Sequence, residues 1–148
     1  RYTKMAESLG ASACLAVTPY YNKATGEGLM AHYQTIAEAV TIPVIIYNVP
    51  SRTGVDIPVS VYRKLAKIPN ITGVKEASAD IRKIVQIRAQ CPENFHIWSG
   101  NDDMTVPIMA VGGVGVISVA SNVVPLSMKA MTQGTIYWLL SFRGNFRN

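Results

Sequence analysis

Charge is scarce in this 148-residue chain: Asp, Glu, Lys and Arg make up only 16% of it. That is well below the quarter usual in globular domains, and with 49% hydrophobic residues it excludes a disordered, self-repelling polymer and leaves ample material for a core. Cysteine is scarcer still. Cys14 sits in an apolar run and Cys91 precedes a proline at an expected helix end, with no CxxC spacing. This excludes a disulfide scaffold and a zinc ribbon, and reads as two incidental thiols in a reducing compartment. The two histidines, His32 and His96, have no metal-ligand neighbours in sequence. No apolar run is long enough to span a membrane, since "MAVGGVGVISVASNVV" is short and broken by glycines. The 14 basic and 9 acidic residues leave +5, but there is no basic run or basic–aromatic block; Arg143 and Arg147 lie in the last six residues and the rest are scattered along the chain. A nucleic-acid partner is therefore not expected. No signal-peptide pattern is present. Arg1-Tyr2 is not a natural start, so an upstream segment is expected to be missing.

What the chain does have is a repeated alternation of apolar β-like runs and helix-like segments. "ACLAVTP" (13–19) reads as a strand, followed by a polar loop and by Leu29, Tyr33, Ile36, Ala37 and Val40 at helical spacing. "IPVIIYNV" (42–49) is a second strand. Pro58 then opens a helix carrying Val61, Tyr62, Leu65 and Ala66 on one side. "ITGVKEA" is the third strand, and Asp80 suits the N-terminus of a helix with Ile81, Ile84, Val85 and Arg88 in register. "NFHIWSG" (94–100) is the fourth, with Asn101 and Asp102 as caps for "MTVPIMAV". "GVGVISVAS" (113–121) is the fifth. Strands without polar alternation, each followed by a helix, predict a parallel sheet covered on both faces. The segment 134–148, "GTIYWLLSFRGNFRN", departs from this rhythm and receives no assignment.

Two architectures compete. Five strands in a doubly wound sheet suit the length. A (β/α)₈ barrel needs about 250 residues, so the chain would be only its later part. The loops favour the barrel. A nucleotide-binding sheet should carry its glycine fingerprint between strand and helix, whereas the glycines of "VGGVGVIS" precede a strand.

In a barrel, the residues following each strand converge on the face where chemistry occurs. Here they include Tyr20 and Tyr21, Tyr47, Asn48, Ser51 and Arg52, Lys75 and Glu76, and Ser99 and Gly100. An amine at the end of an apolar strand loses solvation, so more of it is free base able to attack a carbonyl. A tyrosine can relay protons, and an arginine can bind a carboxylate bidentately. Taken singly, each residue has a plainer reading: a solvated Lys-Glu edge, tyrosines packed under a loop, an arginine in a turn. Together they suggest a nucleophilic amine, with the reaction left open.

Five strings narrow that choice. "VTPYYNKATGEGL", "YNVPSRTG", "GVKEAS", "WSGNDD" and "GGVGVISVASNV" resemble, in order and spacing, the 4-hydroxy-tetrahydrodipicolinate (dihydrodipicolinate) synthases. These belong to the superfamily of pyruvate-dependent class I aldolases and N-acetylneuraminate lyases. The resemblance runs from about Met5 to Met131. It implies a partial (β/α)₈ barrel over residues 1–131, covering about the fourth to the eighth strand, with 132–148 as a divergent tail. It implies that Lys75 forms a Schiff base with pyruvate, that Tyr47 beside it relays protons, and that Tyr21 completes the relay of a neighbouring subunit. Arg52 would receive the carboxylate of aspartate 4-semialdehyde, while the backbones of Gly100 and Ile117 lie against the pyruvate adduct. Tyr20 matches a tyrosine near the family's lysine-inhibitor cleft. The implied enzyme needs no cofactor or metal, works in the cytoplasm, serves lysine biosynthesis, and assembles as a dimer of dimers. The family's Gly-Thr-Thr-Gly-Glu-type loop, which supplies a relay threonine, does not occur in this sequence. The alternatives are a sibling aldolase, which would not need Arg52, and a catalytically inert fragment.

Overall fold

The computed structural model describes residues 1–145 and contains one five-stranded parallel sheet in the order β1-β2-β3-β4-β5. The strands are β1 (Cys14–Val17), β2 (Val44–Asn48), β3 (Ile71–Glu76), β4 (His96–Ser99) and β5 (Gly115–Val116). Helix α1 (Tyr2–Ser8) precedes the sheet. Between strands lie α2 (Gly26–Glu38), α3 (Pro50–Thr53), α4 (Val59–Leu65), α5 (Ile81–Gln90) and α6 (Thr105–Ala110), and α7 (Pro125–Asn145) follows the last strand. Neither α1 nor the short α3 follows from the periodicity of the sequence.

Consecutive strand order decides between the two architectures. A doubly wound sheet reverses direction at a switch point; here every step moves the same way, as along the arc of a barrel. Right-handed crossovers that all advance in one direction place every helix on one face of the sheet. The core follows that geometry. Val44, Ile46, Val74 and Ile97 are all fully buried and pack against Leu29, Tyr33, Tyr62, Leu65, Ile84 and Ile87 of the helices. The opposite face carries Leu15, which is 45% exposed, together with the half-buried Val17, Ile45 and Tyr47. The expectation of a sheet covered on both faces is thus corrected: the described helices cover one.

Local signals account for most element boundaries. Asp80 caps α5 by accepting from the amides of Arg82 (2.9 Å) and Lys83 (3.3 Å), satisfying donors that the first helical turn leaves unpaired. Pro58 directly precedes α4, and α5 ends at Gln90 before Cys91. The buried side of α5 is Lys83, Ile84 and Ile87, while Val85, expected to face inward, is 47% exposed. β5 is much shorter than the expected 113–121. Ile117 extends the pairing with one bond to the Ser99 carbonyl (3.0 Å). Beyond it the amides of Val119 and Ala120 donate to Asp102 Oδ2 (3.2 and 3.0 Å). Asp102 therefore captures the loop after β5 rather than capping α6, as the sequence had suggested. The unassigned segment continues α7 through Asn145, across the expected boundary at 131/132; residues 146–148 lie outside the described residues.

Candidate active site

Residues in register across a parallel sheet point to the same side. Val17, Tyr47, Lys75, Trp98 and Gly115 form one such row. Val17 and Tyr47 mark it as the row on the uncovered face. Lys75 is nevertheless only 8% exposed, and its Nζ lies 4.4 Å from the centroid of the Tyr47 ring. Burial draws its pKa below the ordinary lysine value; the negative charge of Asp102 opposes this, and the positive charge of Arg52 reinforces it. The amine is therefore biased toward its nucleophilic, uncharged form.

Around it, Tyr47, Arg52, Lys75, Gly100 and Asp102 line a cavity of about 560 Å³. Pro50 at the start of α3 turns the chain directly after β2, and so brings the exposed Arg52 back over the end of its own strand. Gly100 is there because nothing larger fits: a Cβ would stand 2.6 Å from the Cβ of Ala77. Its amide donates to the Glu76 carbonyl at 2.8 Å. Asp102 is held below the usual carboxylate pKa by the neighbouring Ser118 side chain and by the Ala120 and Val119 amides.

Four of the residues expected at the site, Lys75, Tyr47, Arg52 and Gly100, thus share one cavity. The others lie apart. Tyr20, 71% exposed, lines an adjoining apolar recess of about 500 Å³ with Leu15, Val17, Tyr47 and Arg52. Tyr21 is 90% exposed and lines neither recess. Ile117, half-buried one residue past β5, donates its amide to the Ser99 carbonyl and does not line the cavity.

By their places at the ends of the strands, Asn48, Glu76 and Ser99 fall in the same sequence set as Tyr47 and Lys75. Strand alternation instead turns all three toward the helices, where each is essentially fully buried. Asn48 Nδ2 donates to Glu76 Oε1 (2.8 Å) and to Asp56 Oδ1 (2.7 Å), and Tyr62 Oη donates to Glu76 Oε2 (2.8 Å). Lys83 Nζ is ion-paired with Asp56 and lies 3.6 Å from Glu76 Oε2. This network, and the place of Asp102 in the cavity, were not anticipated. The period-two pattern of β2 and β3 could have separated the two sets, but no local pattern names their partners.

Chemically, a desolvated amine beside a phenol and a guanidinium can form an imine with a carbonyl compound, shuttle its protons and hold an anion. Among the described residues, no group of three His, Cys, Asp or Glu side chains converges as a metal ion requires, and no helix is long and apolar enough to cross a membrane.

Known proteins match this arrangement. The profile of the dihydrodipicolinate synthetase family covers residues 1–136. A 4-hydroxy-tetrahydrodipicolinate synthase from Alkaliphilus oremlandii is 51% identical over 131 residues, which are 88% of this chain and 45% of that protein. The crystal structure of dihydrodipicolinate synthase from Aquifex aeolicus superposes with a TM-score of 0.89 at 43% identity, over 98% of this chain and 48% of that one. A chloride-inhibited dihydrodipicolinate synthase from Acinetobacter baumannii, solved in complex with pyruvate, superposes with a TM-score of 0.88 at 44% identity, over 91% of this chain and 46% of that one. The chain therefore spans about half the length of the relatives it matches. A one-directional parallel sheet, a buried lysine stacked on a tyrosine and these matches agree: the chain belongs to the dihydrodipicolinate synthetase family.

Proposed function

We propose that this chain carries the nucleophilic half of a 4-hydroxy-tetrahydrodipicolinate synthase, a lyase that condenses pyruvate with aspartate 4-semialdehyde. The observation that carries the reading is the Lys75 amine, buried and lying 4.4 Å over the Tyr47 ring in a cavity shared with Arg52.

Lys75 Nζ attacks the ketone carbon of pyruvate, and water leaves to give an imine. The protonated imine draws electrons from the adjacent methyl carbon, which loses a proton and becomes an enamine. That carbon attacks the aldehyde of the second substrate. The substrate's own amine then closes the ring onto the former ketone carbon and displaces Lys75. Tyr47, in contact with the amine, carries protons in the first and last steps. Arg52 takes the carboxylate of the semialdehyde through its planar fork, and Gly100 leaves room for the adduct. Tyr20 and Tyr21, exposed on the loop after β1, suit an interface with a second subunit, where Tyr21 would complete a neighbouring relay. The backbone beyond β5, from Ile117, borders the adduct. Residues 1–131 act as the barrel portion, in the cytoplasm, as part of lysine biosynthesis.

Borohydride reduction in the presence of pyruvate, followed by peptide mass spectrometry, tests the first step. A reduced pyruvate adduct on Lys75 is expected. A folded chain that leaves Lys75 unmodified would overturn the reading. Turnover with sugar aldehydes but not with aspartate 4-semialdehyde would transfer the site to a sibling aldolase.

A further inference from the structure

The mechanism above uses Lys75 and Tyr47 but not the residues that immediately follow them. Asn48 and Glu76 are register partners across β2 and β3, and their side chains meet on the helix side of the sheet. We propose that Glu76 is a positioning residue: through Asn48, Tyr62 and the turn at Ser78 it locks the ends of β2 and β3 in register, so that the Lys75 amine stays seated against Tyr47 and the Arg52 loop stays over the cavity. This inference rests on the reading of Lys75 as the imine-forming nucleophile.

The segments that carry Tyr47, Lys75 and Arg52 meet at this carboxylate or at its partner Asn48. Glu76 Oε1 accepts from Asn48 Nδ2 and from the Ser78 amide (2.9 Å), and Oε2 accepts from Tyr62 Oη. Asn48 in turn donates to Asp56 and accepts from the Ile57 amide at 3.2 Å, closing the loop that begins with α3 and carries Arg52. The Ala77 amide donates to the Asn48 carbonyl, and the Gly100 amide to the Glu76 carbonyl, so the backbone is tied at the same level. Just beyond, Ala79 holds a left-handed conformation (φ +60°), which non-glycine residues adopt only where surrounding contacts enforce it.

Stability alone does not explain such a network. Burying charges costs desolvation, and packed apolar side chains of similar volume often do as well or better. What a saturated polar cluster supplies is a single geometry. Burial, then the nearby Glu76 charge, raises the Tyr62 hydroxyl well above its ordinary pKa, so it serves as a permanent donor.

Glu76 faces Asn48, Tyr62, Lys83 and Asp56, whereas Lys75 faces Tyr47, Asp102 and Arg52. The two sets oppose each other across the sheet, which gives the experiment a sign. If Glu76 acted on Lys75 through charge alone, Glu76→Gln would lower the lysine's pKa. If it acts by positioning, the loosened amine gains solvent and its pKa rises.

The test is competitive acetylation of the whole chain over a range of pH, with Lys75 read by peptide mass spectrometry, alongside pyruvate-dependent borohydride trapping. In Glu76→Gln the half-labelling pH of Lys75 is expected to rise by about half a unit or more, and trapping at neutral pH to slow about tenfold. Tyr62→Phe, which removes one donor and keeps the ring, should move both in the same direction by less. Variants that keep the parent's circular dichroism and thermal transition yet leave the labelling curve unchanged, or shift it downward, would overturn the proposal. If Glu76→Gln does not fold, Tyr62→Phe decides alone. If the parent chain itself is never trapped, the reaction assigned to Lys75 falls, while the labelling curves still decide whether Glu76 positions the amine.

Discussion

Two lysines lie eight positions apart and are almost equally buried, Lys75 at 8% exposure and Lys83 at 6%. Lys83, in the first turn of α5, is ion-paired with Asp56, lies 3.6 Å from a Glu76 oxygen, and sits 5.6 Å over the Tyr62 ring. Lys75, at the end of β3 on the other side of the sheet, has a tyrosine ring at 4.4 Å, and its pKa is lowered chiefly by burial. The same side chain, removed from water to the same degree, is held by an ion pair in one setting, while in the other burial lowers its pKa. Burial alone thus does not mark a candidate nucleophile; what sets Lys75 apart is burial with no ion-paired carboxylate among the described residues to hold its proton.

The largest test of that contrast is Lys75→Met. Pyruvate-dependent trapping should vanish completely while the fold survives, because no ion pair is broken; peptide mass spectrometry and circular dichroism read both. Lys83→Met should do the reverse. It leaves the buried Glu76 without its cation, while the pair with the half-exposed Asp56 is solvent-screened, and should lower stability by about 1–3 kcal/mol, as read in urea unfolding.

Gly100→Ala sharpens the geometry rather than the charge. Its Cβ would meet Ala77 at 2.6 Å, so a loss of about 1–3 kcal/mol from overpacking is expected, with trapping slowed as the cavity floor shifts. A fourth test follows pH. Lys75 has a lower pKa folded than unfolded, so between the two values the unfolded chain binds more protons and stability rises with pH. The urea midpoint of the parent should therefore climb, relative to Lys75→Met, as pH passes from the lowered folded value toward that of an ordinary lysine. Equal slopes in the two proteins would mean that Lys75 is not desolvated. The smallest effect is expected from Asp80→Ala, which removes the cap of the helix that carries Lys83, at about 1 kcal/mol. Its urea midpoint should fall with no change in trapping, since the cap serves Lys83's helix and not Lys75's strand.

Much of this was legible in the chain. The positions of all five strands, the helix bearing Val61, Tyr62 and Leu65, the cap at Asp80 and the lysine at a strand end follow from period, capping chemistry and apolar runs. These are short-range properties, and the structure keeps them. The extent of β5, the inward face of α5 and the role of Asp102 were read less well. Each depends on a contact distant in sequence: Asp102 with Val119 and Ala120, or Lys83 with Asp56. The resemblance named Lys75, Tyr47, Arg52 and Gly100, which the fold brings to one cavity. It was silent on Glu76, whose partners Asn48 and Tyr62 lie 28 and 14 residues away.

The sequence by itself determined the alternation of strand and helix and put an amine at the end of the third strand, because hydrophobic period and caps act within a few residues. Tertiary structure decided the rest. Strand order showed that the sheet advances in one direction, and register showed that Lys75 and Glu76, adjacent in the chain, open onto opposite sides of it. One faces a tyrosine ring with little charge to hold its proton; the other is enclosed by donors. That division follows from strand alternation, but its chemical consequence exists only where the folded neighbours stand.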